Sequence, residues 1–275
     1  MKKIFGVVGH PVEHSLSPAM HNAAYKAMKI DAEYRRFDID PENWENLANF
    51  CYESDLKGIA GFSVTMPFKE RIMEYLDNID VLAKEISSVN TVQNEKSNLN
   101  GFNTDATGAI KALREKTELK DKKALVLGAG GAARAIIYAL KEFGARVFIY
   151  NRTPDKAKEL AKHFAVGAIA LCDIKKVGFD IIVNSTPVGM FPNVNESLLK
   201  ADQIKKGAVV MDIITHPIQT RLLKEAKKAG AETISGERML LHQAADQFVI
   251  WFNKPAPYEA MEKALYAELS KRTKA

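Results

Sequence analysis

The sequence predicts an α/β protein of two lobes separated by a cleft. Three observations lead there. The chain has 275 residues and is 47% hydrophobic, enough for one large domain or two ordinary ones with their own cores. Apolar runs of strand length alternate with segments of helical spacing, the pattern of βα units in open α/β sheets. This alternation runs in two series, joined near residues 105–121 by a helix rather than a loose linker.

In the first series, Lys3 to Val8 is an apolar run ending in glycine and reads as a strand. It stops too soon, at Gly9, His10 and the nearby acidic Glu13, to be a signal peptide. Pro18 to Met28 has helical spacing. Residues 33–39 read as a strand, and 41–53 as a helix opened by Pro41. Residues 58–65 are a strand, followed by a helix entered through Pro67. Residues 88–93 form another strand, followed by a turn rich in Asn and Ser. A mixed sheet is expected for this lobe.

The second series opens with a strand at 122–127 and a helix from Gly131 to Phe143. A strand at 146–150 and a helix at 155–163 follow. Strands are expected near 166–170, 180–184 and 207–214, then a helix at 218–228 and a short strand at 231–234. The last segments, 237–252 and 256–272, read as helices. No short repeat of fixed period is present, which excludes a solenoid.

Composition narrows the partners. Lys+Arg 39 against Asp+Glu 34 gives a net charge of +5. The short basic runs Lys175-Lys176 and Lys227-Lys228 are not interleaved with aromatics, so no nucleic-acid partner is expected. A pocket for an anionic small molecule accounts for the same excess. No apolar run reaches transmembrane length, so no membrane partner is expected. Cys51 and Cys172 lie far apart without a CxxC partner, which fits a reducing compartment and a cytoplasmic location. The six histidines form no HExxH motif, and no metal is expected.

The strand at 122–127 runs into Gly128-Ala129-Gly130-Gly131-Ala132-Ala133, and a helix follows. This is the strand–turn–helix context of a dinucleotide fingerprint, with alanine at its third glycine. Gly128 permits the tight turn, Gly130 lets backbone amides approach a pyrophosphate, and the helix N-terminus supplies donors and partial positive charge. The lobe is therefore read as Rossmann-type. An NAD site wants a carboxylate at the end of the next strand. Here Tyr150-Asn151-Arg152-Thr153 stands there, with no acid before Asp155 and with Lys156 just beyond. Arg152 offers a planar fork of donors suited to a 2′-phosphate, which favours NADP over NAD. The plain alternative is an exposed Arg152 and an N-cap at Thr153.

The first lobe has to supply the chemistry. In His14-Ser15-Leu16-Ser17-Pro18, two serines two residues apart share a direction if the backbone is extended. With the amides of the helix opened by Pro18, they make a nest for a carboxylate; N-capping by Ser17 is the simpler reading. In Ser63-Val64-Thr65-Met66-Pro67-Phe68-Lys69, Thr65 ends a strand and Lys69 falls in the first turn of the next helix. A cation there opposes the helix dipole, an unfavourable placement at a junction where open α/β sheets bind ligands. Asn90 lies in a strand and needs partners if buried. Asp105 opens the helix joining the lobes. If it faces Lys69 across the cleft, the pair can handle the proton of an alcohol, as hydride transfer requires.

These motifs resemble the shikimate dehydrogenase family over almost the whole chain. They are HSLSP (14–18), SVTMPFK (63–69), VNT (89–91), NTDATG (103–108), GAGGAAR (128–134), NRT (151–153), NSTPVGM (184–190) and SGERMLLHQA (235–244). The resemblance implies reversible NADPH-dependent reduction of 3-dehydroshikimate to shikimate, in aromatic amino-acid biosynthesis. It implies Lys69 and Asp105 as the catalytic pair, and Ser15 and Ser17 on the substrate carboxylate. Thr65, Asn90 and Gln243 would bind or position the ring hydroxyls. Gly128, Ala129, Gly130, Gly131, Ala132, Asn151, Arg152, Thr153, Lys156, Thr186, Met190, Ile213 and Gly236 would line the cofactor. The expected division is 1–104 plus 239–275 for substrate and 105–238 for NADP, in a monomer or homodimer.

Three positions depart from the family pattern. Ser63 stands where many members have asparagine, Thr215 where a tyrosine usually reaches the substrate, and Ser235 where aspartate is frequent. Thr215 permits an alternative activity, on quinate or another cyclic hydroxy acid. A non-catalytic NADP-binding regulator is the reading from a different class, and the retained Lys69 and Asp105 speak against it.

Overall fold

A computed structural model describes residues 2–272. The chain divides into two compact units, Met1–Thr104 with Gln243–Ala275, and Asp105–His242.

The first unit runs β1 (Lys3–Gly9), α1 (Ser17–Ala27), β2 (Ala32–Asp38), α2 (Trp44–Glu53) and β3 (Ile59–Val64). A short 3-10 helix (Arg71–Tyr75), β4 (Asn78–Ile79), α3 (Val81–Ile86), β5 (Thr91–Glu95) and β6 (Asn98–Phe102) follow. The strand order is β2-β1-β3-β5-β6-β4. β1 is parallel to both β2 and β3, whereas β3–β5 and β5–β6 are antiparallel, so the sheet is mixed, as expected. Val8, Leu47, Phe50, Phe62, Phe68 and Val92 share one buried cluster.

Local expectations fail here for identifiable reasons. α2 opens at Trp44, not Pro41, because the Asn43 side chain accepts from the Glu45 amide and caps it. No helix is entered at Pro67. The Lys69 carbonyl instead accepts from the Val89 amide at 2.8 Å, which removes it from any helical ladder. Asn90 lies just before β5 rather than inside a strand. The hairpin β5–β6 is turned by Lys96 and Ser97 with φ of 52° and 69°, so it lacks the Asn-Gly or Asp-Gly signal of such turns.

The second unit contains α4 (Asp105–Arg114), β7 (Lys123–Leu127), α5 (Gly131–Glu142), β8 (Arg146–Tyr150), α6 (Pro154–Phe164) and β9 (Gly167–Ala168). Then come α7 (Ile174–Val177), β10 (Ile181–Asn184), β11 (Val209–Asp212), α8 (Arg221–Lys228) and β12 (Glu232–Ile234). The sheet is parallel throughout, in the order β12-β11-β10-β7-β8-β9. This is the doubly wound Rossmann order, with its reversal between β7 and β10. β10 and β11 are buried along their whole length, which explains their continuous apolar runs.

Two helices close the chain, α9 (Gly236–Phe252) and α10 (Tyr258–Arg272). The units meet along the chain between His242 and Gln243, inside α9, where the sequence reading put the crossing at 238/239. An unbroken helix offers no loop to mark that point. α10 packs on α1, with Met261, Leu265 and Leu269 buried. Among the described residues, no helix is long and apolar enough to cross a membrane.

Candidate active site

In the first unit the sequence motifs gather at the C-terminal ends of β1 and β3. The chain leaves β1 for β2 on one side, and β3 lies on the other, so the strand order reverses here. Such a point is where open α/β sheets take ligands. The Thr65 amide donates to the Val8 carbonyl at 2.8 Å and the His10 amide to the Met66 carbonyl at 3.0 Å. A Cβ at Gly9 would overlap the Thr65 side chain, so glycine alone allows this approach.

Ser15 and Ser17 are close, but not through an extended backbone. Leu16 is helical (φ −88°, ψ −12°) and Ser17 is the first residue of α1, so Ser17 is not the N-cap either. The Ser15 hydroxyl instead accepts from the Ser17 amide at 3.3 Å. Arg36 donates to the Ser15 carbonyl at 2.9 Å and Arg272 to the His14 carbonyl at 2.8 Å, fixing the segment from outside.

A buried polar network continues inward. The Tyr34 hydroxyl lies 2.6 Å from the Ser63 hydroxyl, which donates to Gln247 Oε1 at 2.8 Å. Gln247 Nε2 donates to the Asn90 carbonyl at 3.2 Å and to Thr91 Oγ1 at 3.1 Å. Asn90 Nδ2 donates to Thr104 Oγ1 at 2.9 Å and Gln243 Oε1 at 3.3 Å. Its Oδ1 accepts from the Thr104 amide and the Thr91 hydroxyl, each at 2.8 Å. Asn90 and Gln243, both expected on the substrate, are thus brought together. Gln247 and Tyr34 were not expected. Gln247 follows Gln243 by one helical turn, a signal the sequence carried. Tyr34 gave none beyond its place in a strand.

Burial sets the protonation of this network. His21 stacks on Tyr34 with ring centroids 4.5 Å apart and 10° between planes. Burial pushes its pKa down to about 3, partly opposed by its contact with Gln247, so the imidazole is neutral. Burial likewise pushes the Tyr34 phenol upward, partly opposed by its contact with Ser63.

Lys69 is half-buried in the turn after Thr65. The helix-dipole expectation for it falls, since the short 3-10 helix begins only at Arg71. Asp105 is the first residue of α4 and is 4% exposed. Lys69 belongs to the first unit and Asp105 begins the second.

In the second unit, Gly128 follows β7 with φ of +117°, and a Cβ there would meet Ser185 Oγ at 2.6 Å. Only glycine fits that turn. A Cβ at Gly130 would meet nothing within 4 Å, so the space above the N-terminus of α5 is open. Ala129, Gly131 and Ala132 around it are partly exposed, and α5 has no side-chain cap. Thr186 packs beside Gly128, and Ile213 beside Gly236, where a Cβ would overlap the Ile213 carbonyl. After β8, Asn151 Nδ2 donates to the Thr153 carbonyl at 3.0 Å, while Arg152 and Lys156 are exposed. Thr153 occupies the N-cap of α6 without a side-chain cap bond, so capping does not account for its hydroxyl. Met190 is exposed on the segment after β10. Among the described residues, no group of three or more His, Cys, Asp or Glu side chains is placed to hold a metal.

Comparison with known proteins matches this geometry to a family. Residues 7–92 match the shikimate dehydrogenase substrate binding domain, 111–224 match shikimate / quinate 5-dehydrogenase, and 236–266 match the shikimate 5'-dehydrogenase C-terminal domain. The shikimate dehydrogenase (NADP(+)) of Methanocaldococcus jannaschii is 42% identical, covering 98% of each chain. The chain belongs to the shikimate dehydrogenase family. A crystal structure of a shikimate dehydrogenase in complex with NADP+ is 43% identical, with a TM-score of 0.92 over 98% of this chain and 96% of that one. The shikimate 5-dehydrogenase of Thermus thermophilus, solved with NADP(H) and shikimate, is 37% identical, with a TM-score of 0.90 over 96% of this chain and 99% of that one.

Against the shikimate dehydrogenase pattern, the departures have local settings. Ser63 is buried between Tyr34 and Gln247. Ser235 donates to Glu237 Oε1 at 2.6 Å. Thr215 is half-buried beside an exposed His216.

Proposed function

We propose that this protein is an NADP-dependent shikimate dehydrogenase, reversibly reducing 3-dehydroshikimate to shikimate in aromatic amino-acid biosynthesis. The observation that carries the reading is positional. Both motif sets lie at the C-terminal ends of parallel strands where the strand order reverses, after β1 and β3 in one unit and after β7 and β10 in the other. The first unit is the substrate domain and the second the NADP domain. Two free thiols and a reducing cofactor support work in the cytoplasm.

The second unit fits the cofactor: Gly128 and Gly130 keep the pyrophosphate position clear, and α5 presents uncapped amides to it. Ala129, Gly131 and Ala132 complete that turn. Arg152 and Lys156, with Asn151 and Thr153, would hold the 2′-phosphate, and Thr186, Met190, Ile213 and Gly236 would line the cofactor. When bound, NADPH supplies the hydride for the ketone carbon. Ser15 and Ser17 hold the substrate carboxylate by hydroxyl donation. Thr65, Asn90 and Gln243 orient the ring hydroxyls. Lys69 gives a proton to the ketone oxygen as it becomes an alcohol, and takes it back in the reverse direction; Asp105 is its acid–base partner.

Lys69→Ala tests the chemistry. Turnover should vanish while NADP binding stays near normal, and retained turnover would remove Lys69 from catalysis. Thr215 supports a second reading, quinate or a related cyclic hydroxy acid as substrate, which direct comparison of substrates decides.

A further inference from the structure

The ends of β10 and β11 are tied by side chains that none of the binding roles above uses. Asp212 is 0% exposed and accepts three hydrogen bonds. Its Oδ1 takes one from Asn184 Nδ2 at 3.0 Å and one from the Ile214 amide at 3.2 Å. Its Oδ2 takes the third from the Thr220 hydroxyl at 2.7 Å. Asn184 is buried too, and its Oδ1 accepts from the Thr186 amide at 3.0 Å and the Thr186 hydroxyl at 2.6 Å. Its Nδ2 also donates to the Val188 carbonyl at 3.3 Å. Thr220 caps α8 by accepting from the Leu223 amide at 3.3 Å.

We infer that Asp212 is a positioning residue for the cofactor. Through Asn184 it sets the loop that carries Thr186, and through the Ile214 amide it sets the segment that carries Ile213. The inference rests on the proposed NADP site. Its physical basis is that one buried acceptor joins two loops that would otherwise move independently, so the groups lining the ligand are held before it arrives. A carboxylate suits the place because all three neighbours donate. Burial pushes the Asp212 pKa up to about 6, against the bonds from Thr220, Ile214 and Asn184. An amide at this position keeps an oxygen for Asn184 and Ile214 while turning its nitrogen toward Thr220, whose hydroxyl can accept.

The test is calorimetric titration of the full chain with NADP and, separately, with shikimate. Asp212→Ala should weaken NADP about tenfold or more, since the partners of the buried carboxylate lose it together, and leave shikimate within about twofold. Asp212→Asn should restore NADP affinity to within about threefold of wild type, a rescue that generic destabilisation would not give. If Asp212→Ala does not fold, Asn184→Ser must weaken NADP selectively, because it breaks the bridge from Asp212 to the Thr186 loop while leaving the Asp212 bonds to Ile214 and Thr220 in place. Unchanged NADP affinity in these variants, or parallel loss of both ligands, overturns the inference. Failure of the wild-type chain to bind NADP would instead overturn the cofactor reading on which it rests.

Discussion

The Tyr34 hydroxyl lies 2.6 Å from the Ser63 hydroxyl, which donates to Gln247 and so joins Tyr34 to the buried network around Asn90. Tyr34→Phe removes this bond and leaves the buried Ser63 hydroxyl one partner short. Stability should fall by about 1–3 kcal/mol in urea unfolding. The KM for shikimate should rise with kcat little changed, because Tyr34 acts through Ser63 and Gln247 on Asn90. An unchanged KM would detach Tyr34 from substrate positioning.

Gln247 is the hub of the same network, with Ser63, Thr91, the Asn90 carbonyl and His21 around its amide. Gln247→Ala should cost about 2–3 kcal/mol, since several buried groups lose a partner at once. Gln247→Glu should also destabilise at neutral pH, because a carboxylate cannot donate to the Asn90 carbonyl. Equal stability of all three proteins would contradict this assignment.

His21 predicts a pH dependence. Its folded pKa of about 3 lies below the ordinary histidine value of 6.5, so below pH 6.5 the unfolded chain binds the extra proton. Stability from this group is therefore present above pH 6.5 and falls as pH drops toward 3, by up to about 1.4 kcal/mol per pH unit. His21→Gln should flatten that part of the profile in urea melts at pH values on either side. An unchanged slope would mean that His21 is not held neutral.

Arg152 is the residue proposed to choose between the two nucleotides. It is exposed after β8, where no carboxylate stands to accept from a ribose hydroxyl. Arg152→Ala should raise the Kd for NADP by tenfold or so while changing NAD much less, as expected for a lost charge-assisted bond to phosphate. Equal losses would remove Arg152 from the 2′-phosphate site.

What could be read from the sequence follows from which forces are local. Both βα series, the turn at Gly128 and the placement of Lys69 after a strand are written in short-range pattern. The strand at 88–93 and the Asn/Ser-rich turn after it were legible, but β6 was not, because Lys96 and Ser97 take left-handed backbone without the Asn-Gly or Asp-Gly signal of a two-residue hairpin. The absent helix after Pro67 depends on the Val89 amide, twenty residues on, capturing the Lys69 carbonyl. Ser15 and Ser17 were assigned the wrong backbone because Leu16 is already helical. Tyr34 and Asn184 reach their networks from distant strands, so nothing local revealed them, whereas Gln247 was signalled only by its helical spacing from Gln243.

The most direct test of the central claim is a spectrophotometric assay of the purified protein. Shikimate and quinate are each offered with NADP and with NAD, and nicotinamide reduction is followed by absorbance. The account predicts turnover with shikimate and NADP, with the highest kcat/KM of the four pairs. Absence of turnover with shikimate under either nucleotide would contradict it.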